Sequence, residues 1–209
     1  MTIDRRRLVV LASGGGTNLQ AVLDACATDS ITADVVAVFT NVANAGALDR
    51  ARSAGVIAAH LSPTSSHDRI AYDTALADAV SRHAPDYVVL AGWMRLLTSA
   101  FLDRFPGRVV NLHPALPGEL PGLHSIQRAY DEFVLGTRSR SGVMVHLVPD
   151  EAVDAGPVLA AVEVPFEAGD SLSAFEARMH VAEHLLLVET LASLCAPDSV
   201  PNIHMEVTT

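Results

Sequence analysis

The chain of 209 residues contains no lysine; all 14 basic side chains are arginine. That absence removes a lysine Schiff base, pyridoxal-phosphate chemistry and the GxxxxGK[ST] phosphate loop, each of which needs an amine. Basic charge is also scarce, 14 residues against 24 acidic ones, for a formal net charge of −10. Broad binding to nucleic acids or anionic membranes rests on clustered Lys and Arg, so both are excluded as partners. Ten aromatic residues offer little platform for base stacking. No apolar run approaches the roughly 20 residues of a membrane span, and the opening Met-Thr-Ile-Asp-Arg-Arg-Arg is no signal peptide, which leads to the expectation of a cytoplasmic protein. Only two cysteines occur, Cys26 and Cys195, in Ala- and Leu-rich contexts without CxxC spacing, and both are expected as buried reduced thiols.

What is abundant is apolar: half the residues, enough for one compact domain over residues 1–195, with 196–209 as a surface tail. Val-rich runs at Arg7–Ala12, Asp34–Thr40, Val56–His60, Asp86–Gly92 and Arg108–His113 are apolar on both faces, as parallel strands covered on both sides are. Between them, Leu19, Val22 and Leu23 follow a helix start at Thr17/Asn18, and Ile70, Ala71, Leu76 and Val80 follow a cap candidate at Ser66. The alternation predicts an α/β fold: a doubly wound, mostly parallel open sheet with helices on both faces, Rossmann-like. After a Pro/Gly-rich loop and a short helix from about 125 to 133, extended runs at Gly142–Val148 and Pro157–Phe166 predict an antiparallel extension in the C-terminal half. Asp170 and Ser171 cap a last helix reaching about Leu194, with Phe175, Met179, Leu186 and Leu187 on its apolar face.

Ser13-Gly14-Gly15-Gly16-Thr17-Asn18 joins the first strand to a helix, where backbone N–H groups and the helix dipole can meet a phosphate. Leu19 stands where the dinucleotide fingerprint has its third glycine, so a monophosphate is expected instead of NAD. Asn111-Leu112-His113-Pro114 ends another strand; alternation sets Asn111 and His113 on one side, where an amide and an imidazole can hold a carbonyl oxygen as it becomes an oxyanion. A carboxylate to keep that histidine protonated is sought in the acidic loop 149–157, where Asp150, Glu151 and Asp154 are all open candidates. His180-Val-Ala-Glu183-His184 has the HxxEH spacing of a zinc helix, but too little chain follows for the usual third ligand, and His124 and His146 lie in separate elements; no metal is expected. There is no GxSxG elbow and neither cysteine has an activating neighbour, so the nucleophile is expected to be the substrate's own.

Taken in order, VLASGGGTNLQAV, VVLAGWMRLL, VVNLHPALP with PGLH, VHLVPDEAVDAGPVL and EVPFEAGDSLSAFEARMHVAEH resemble the phosphoribosylglycinamide formyltransferases, from about Leu8 to Leu194. The resemblance implies transfer of a formyl group from 10-formyltetrahydrofolate to the amine of N1-(5-phosphoribosyl)glycinamide in purine biosynthesis. It assigns Gly16, Thr17 and Asn18 to the substrate phosphate, Glu183 to the glycinamide substrate, and Arg69, Met94, Arg95, Leu96, Leu97 and Asn111 to the folate. It makes Asn111, His113 and Asp154 catalytic, choosing Asp154 from the acidic loop, with Asp150 or Glu151 as residues that could share its role. It divides the domain into a phosphate-binding half, about 7–107, and a catalytic and folate half, about 108–195, in a monomer or homodimer. Gly15 stands where the family often has asparagine, Glu119 where a basic residue is frequent, and the stretch from His124 to His146 is longer than in bacterial members. The alternatives are a formyltetrahydrofolate hydrolase, which usually carries a further N-terminal domain, and a non-enzymatic phosphate or nucleotide sensor.

Overall fold

The computed structural model describes residues 5–63 and 68–197. The Ser66 cap and all but the first two residues of the 196–209 tail lie outside the described residues; the side chain that does cap the helix at Arg69 is Asp68, accepting from the Ala71 N–H at 3.0 Å.

Among the described residues seven strands and six helices follow one another: β1 Arg6–Leu11, α1 Thr17–Ala27, β2 Ala33–Thr40, α2 Gly46–Ser53, β3 Ile57–His60, α3 Arg69–Ser81, β4 Tyr87–Leu90, α4 Ser99–Leu102, β5 Val109–His113, α5 Ser125–Val134, β6 Arg140–Leu147, β7 Val158–Pro165 and α6 Leu172–Leu194. One sheet in the order β3-β2-β1-β4-β5-β6-β7 contains them, parallel through β5 and antiparallel for β6 and β7. The doubly wound α/β fold with an antiparallel extension is therefore as expected.

Strand alternation divides the core into two layers. Leu8 and Val10 of β1 pack with Val22 and Leu23 of α1, Ala47 of α2, and Phe175, Met179 and Leu187 of α6. Val9 and Leu11 point the other way, onto Leu76 and Val80 of α3 and Phe101 of α4. Among the described residues α2 and α4 are the helices that hydrophobic spacing does not announce: α2 is short, rich in charge and has Ala45 at its cap position with no side-chain cap bond.

The strand order reverses between β1 and β4. Loops leaving the carboxyl ends of those two strands diverge to opposite sides of the sheet and leave a crevice, where open α/β sheets take their ligands. Two hydrogen bonds tie the loops together there, Ser13 N–H to the Gly92 carbonyl (2.9 Å) and the Met94 N–H to Ser13 Oγ (2.8 Å).

Candidate active site

The crevice is a cavity of about 750 Å³ bounded by 14–18 after β1, 90–97 after β4, 111–114 at the end of β5, 122–127 entering α5, the 150–154 loop, His146, and Glu176, His180 and Glu183 of α6.

At its β1 end, Gly16 has φ +75°, the left-handed region. A Cβ on it would lie 2.8 Å from the Ala47 Cα of α2, so glycine is required both by the turn and by the approach of that helix. α2 braces the loop further through Arg50 Nε, which donates to the Gly15 carbonyl at 2.8 Å. The first N–H groups of α1, from Thr17 and Asn18, have no partner within the helix and face the cavity with its positive dipole end. Gly15 has no neighbour within 4 Å of where a Cβ would be, so a side chain could be carried there without rebuilding the loop.

At the other end β5 and β6 pair with Asn111 directly opposite His146. The Asn111 Nδ2 donates to His146 Nε2 (3.0 Å) and to Asp154 Oδ1 (3.1 Å), while His146 Nδ1 faces the Leu147 carbonyl at 2.8 Å. His146 is fully buried and was not foreseen as part of the site; it accepts from the amide and so fixes how Asn111 is turned. His113 is also buried, with Nδ1 3.3 Å from Asp154 Oδ2 and Nε2 3.2 Å from the Leu120 carbonyl. Asp154 Oδ2 in addition accepts from the Gly122 N–H at 2.8 Å. Asp154 is thus the acidic-loop carboxylate in reach of His113. Glu151 instead accepts from the Ser99 N–H (2.9 Å), and Asp150 from the Ala152 N–H of its own turn (2.8 Å).

Three non-glycine residues of this region, Leu120 (φ +45°), His124 (+59°) and Asp154 (+51°), adopt left-handed backbone, each costing of order 1–3 kcal/mol where the surroundings enforce it. The strain sits where the polar groups converge.

Burial opposes the Asp154 charge, but the His146 ring 3.6 Å away, the hydrogen bond from the Gly122 N–H and the neighbouring His113 ring outweigh it and hold the carboxyl below its usual range. For His113 the balance is opposite to the expectation of a protonated ring. Desolvation lowers its pKa and prevails over the lift from Asp154 and the Leu120 carbonyl, so the free protein holds a neutral imidazole near pH 7.

A consequence for stability follows from the sign. A histidine whose folded pKa is depressed takes up its proton in the unfolded chain first, near the ordinary value of 6.5, so stability falls as pH drops from there. His83 and His184, likewise lowered by burial, add to this, and His180, raised by its hydrogen bond to Glu183, opposes it. Urea unfolding between pH 7 and 5 is expected to show stability declining with pH, with a shallower slope in His113→Gln. Equal slopes would remove His113 from the account. Asp154, being depressed, contributes only above the ordinary carboxylate value, and its share is lost in the separate window below about pH 4.

The remaining expected residues fall as follows. Met94 and Leu96 are exposed at the cavity mouth, Leu97 is buried in the second core layer, and Arg95 lies over the Tyr72 ring at 4.8 Å. Arg69 stands outside the cavity wall, reaching the Leu96 carbonyl with Nη2 at 3.3 Å. Glu183 is buried on the wall and accepts from His180 Nδ1 at 2.7 Å, so the HxxEH pair is split: His180 turns to Glu183, and His184 Nε2 is buried without a partner. Among the described residues no three His, Cys, Asp or Glu side chains are arranged to hold a metal ion. Glu119 finds its partner in Arg138, supplied by the segment after α5 and shared with Glu132. Both cysteines are buried free thiols; desolvation pushes Cys26 up to about 11 and Cys195 to about 12.

Comparison with known proteins gives the same picture over nearly the whole chain. The family model described as "Formyl transferase" matches residues 6–191. The chain is 44% identical over 179 residues to the phosphoribosylglycinamide formyltransferase of Escherichia coli (strain K12), covering 86% of this chain and 82% of that protein. It is 38% identical over 202 residues to the Schizosaccharomyces pombe (strain 972 / ATCC 24843) protein of the same name, with 88% and 94% covered. The solved glycinamide ribonucleotide transformylase 1 of Symbiobacterium toebii superposes with a TM-score of 0.85 at 37% identity, over 91% of this chain and 88% of that one. The chain belongs to the formyl transferase family.

Proposed function

We propose that this enzyme transfers a formyl group from 10-formyltetrahydrofolate to the amine of N1-(5-phosphoribosyl)glycinamide in purine (IMP) biosynthesis, a reading supported by relatives named phosphoribosylglycinamide formyltransferase. The observation that carries this reading is the convergence of Asn111, His113 and Asp154 across one cavity from a loop with free helix N–H groups. In this reading Gly16, Thr17 and Asn18 receive the phosphate, and Glu183 meets the glycinamide end. The exposed apolar side chains Met94, Leu96, Leu123 and Val153 suit the flat pterin and aminobenzoyl rings at the mouth. Arg69, outside that wall, suits an anionic tail leaving the cavity. Lining from both sequence halves, 7–107 and 108–195, favours one domain with a shared cavity over two separable units. The acidic chain, without lysine and without a helix long and apolar enough to cross a membrane among the described residues, suits a cytoplasmic enzyme of small anions.

Attack of the substrate amine on the formyl carbon puts negative charge on the formyl oxygen. The Asn111 Nδ2 now serves two acceptors, so it must leave one of them to donate to that oxygen. A developing anion beside His113 raises the affinity of the ring for a proton, countering the desolvation that keeps it neutral in the free protein. Both ring nitrogens already face acceptors, Asp154 and the Leu120 carbonyl, so the imidazolium is received without rearrangement. Proton passage from the attacking nitrogen to N10 is then organised by His113 and Asp154.

Purified protein given both substrates is expected to yield the formylated glycinamide ribonucleotide. Folate turnover as fast without the ribonucleotide would make it a hydrolase and overturn the reading. Gly16→Ala is expected to raise KM for the ribonucleotide about tenfold with KM for the folate unchanged, since the added Cβ pushes the loop from Ala47. An equal rise in both would mean the loop does not hold the phosphate.

A further inference from the structure

Behind His113 runs the loop 116–122, and the chain that leaves α5 comes back to hold it. The Leu120 carbonyl faces His113 Nε2 at 3.2 Å and the Gly122 N–H donates to Asp154 at 2.8 Å, so this loop supplies a partner to two catalytic side chains within three consecutive residues. Leu120 does so from left-handed backbone (φ +45°), which persists only where the neighbours enforce it. On one side its own side chain is buried in the first core layer.

On the other side the adjacent carboxylate, Glu119, is gripped by Arg138 Nη1. The same guanidinium donates through Nε to Glu132 Oε2 of α5 at 2.7 Å and through Nη1 to the Arg140 carbonyl at 3.3 Å. Thr137 sets the arginine in turn, bonding the Glu132 carbonyl through both its N–H (3.0 Å) and its Oγ1 (2.9 Å). The Arg138 side chain is 16% exposed, less than either carboxylate it joins. A solvated ion pair contributes little to stability, but a largely buried fork spanning two carboxylates fixes where they are, which a point charge could not do.

What the loop presents to His113 matters to the ring. Burial lowers its affinity for a proton and His146 adds to that, while Asp154 and the carbonyls of Leu120 and Glu119 oppose it. The residue that Arg138 holds is therefore one of the two whose carbonyls face the imidazole.

We propose that Arg138 is a positioning residue for formyl transfer: through Glu119 it keeps the Glu119 and Leu120 carbonyls against His113 and so keeps the ring in line between them and Asp154. The role rests on the formyl-transfer reading, but its hold on the ring exists in the substrate-free chain and can be observed there.

Arg138→Met, which keeps the aliphatic stem and removes the guanidinium, and Glu119→Ala test the contact from its two ends. In both, Arg128 Nη1 still holds the Pro121 carbonyl (2.8 Å), so the loop keeps one outer anchor. Each is expected to lower kcat about tenfold with KM for both substrates within about twofold, and the double variant is expected to lose no more than either alone. In the substrate-free chain the Cε1–H signal of His113, assigned by its loss in His113→Gln, is expected to move near pH 7. It is also expected to titrate roughly 0.5 pH unit lower in both variants, about a threefold loss of proton affinity. Arg140→Met, which removes the neighbouring pair with Glu163 and leaves the loop untouched, is expected to match wild type in rate and in the His113 signal. A His113 signal and titration unmoved in both variants overturns the proposal, whatever happens to Tm, because a merely structural pair changes stability and not the ring. So do losses that add in the double variant, which would mean that Arg138 and Glu119 act separately. A wild-type chain without transferase activity whose His113 still responds would defeat the formyl-transfer reading and sustain the hold on the ring.

Discussion

Asp154→Asn is expected to lower kcat by about 10²–10⁴ while KM for either substrate changes little, the range associated with losing one positioned acid–base group. The side chain is nearly the same size, so packing survives and the change is in charge and hydrogen-bond sense. Three donors converge on this carboxylate: the Gly122 N–H, the Asn111 Nδ2 and, when its proton is there, His113 Nδ1. An amide offers one accepting oxygen, so its own NH2 must confront at least one of those donors and turn Asn111 or His113 out of place. It also removes the negative charge that favours an imidazolium. Steady-state kinetics with both substrates would show the drop in kcat. Near-normal turnover would move the role to Asp150 or Glu151, the other carboxylates of the loop.

Gly156→Ala is expected to destabilise the fold by about 3 kcal/mol or more, the upper part of the range for forced overpacking. A Cβ there would come within 1.9 Å of the Leu147 carbonyl oxygen and 2.9 Å of Pro149 Cδ, and the nearer atom belongs to backbone that cannot swing aside. That carbonyl also receives His146 Nδ1 at 2.8 Å, so relief of the clash disturbs the site as well. For a chain of about 200 residues the expected loss corresponds to a Tm lower by roughly 6–12 °C. A scanning calorimetry trace matching wild type would show that the turn can be rebuilt at small cost.

Much of this architecture is legible in the residues themselves, and the exceptions have physical reasons. The Val-rich runs announce β1, β2, β4 and β5 because strands buried on both faces have no polar alternation to confuse them, whereas β3 is an edge strand with Ile57 and His60 exposed. Alternation alone puts Asn111 and His113 together. α2 escapes because eight residues with mixed polarity and no side-chain cap carry almost no periodic signal, yet its Ala47 and Arg50 set the shape of the phosphate loop. His146 escapes because a single histidine in GVMVHLV reads as a core strand position. Only the antiparallel register, which pairs it with Asn111, gives it a partner. Asp154 cannot be told from Asp150 and Glu151 by composition; a left-handed backbone and a hydrogen bond from Gly122, 32 positions earlier, distinguish it in space. The neutral state of His113 is hidden for a similar reason, since a neighbouring carboxylate can be guessed from sequence but the completeness of burial cannot.

The two sequestered thiols carry a practical consequence. Cys26 lies in the last turn of α1, Cys195 caps the end of α6, and both pack in the same core layer with thiolate formation suppressed at any physiological pH. A thiol-modifying reagent therefore reacts only with molecules that have opened that layer. Under native conditions its rate counts excursions from the folded state, giving an intrinsic clock for opening events in a chain that has no lysine to carry an amine label.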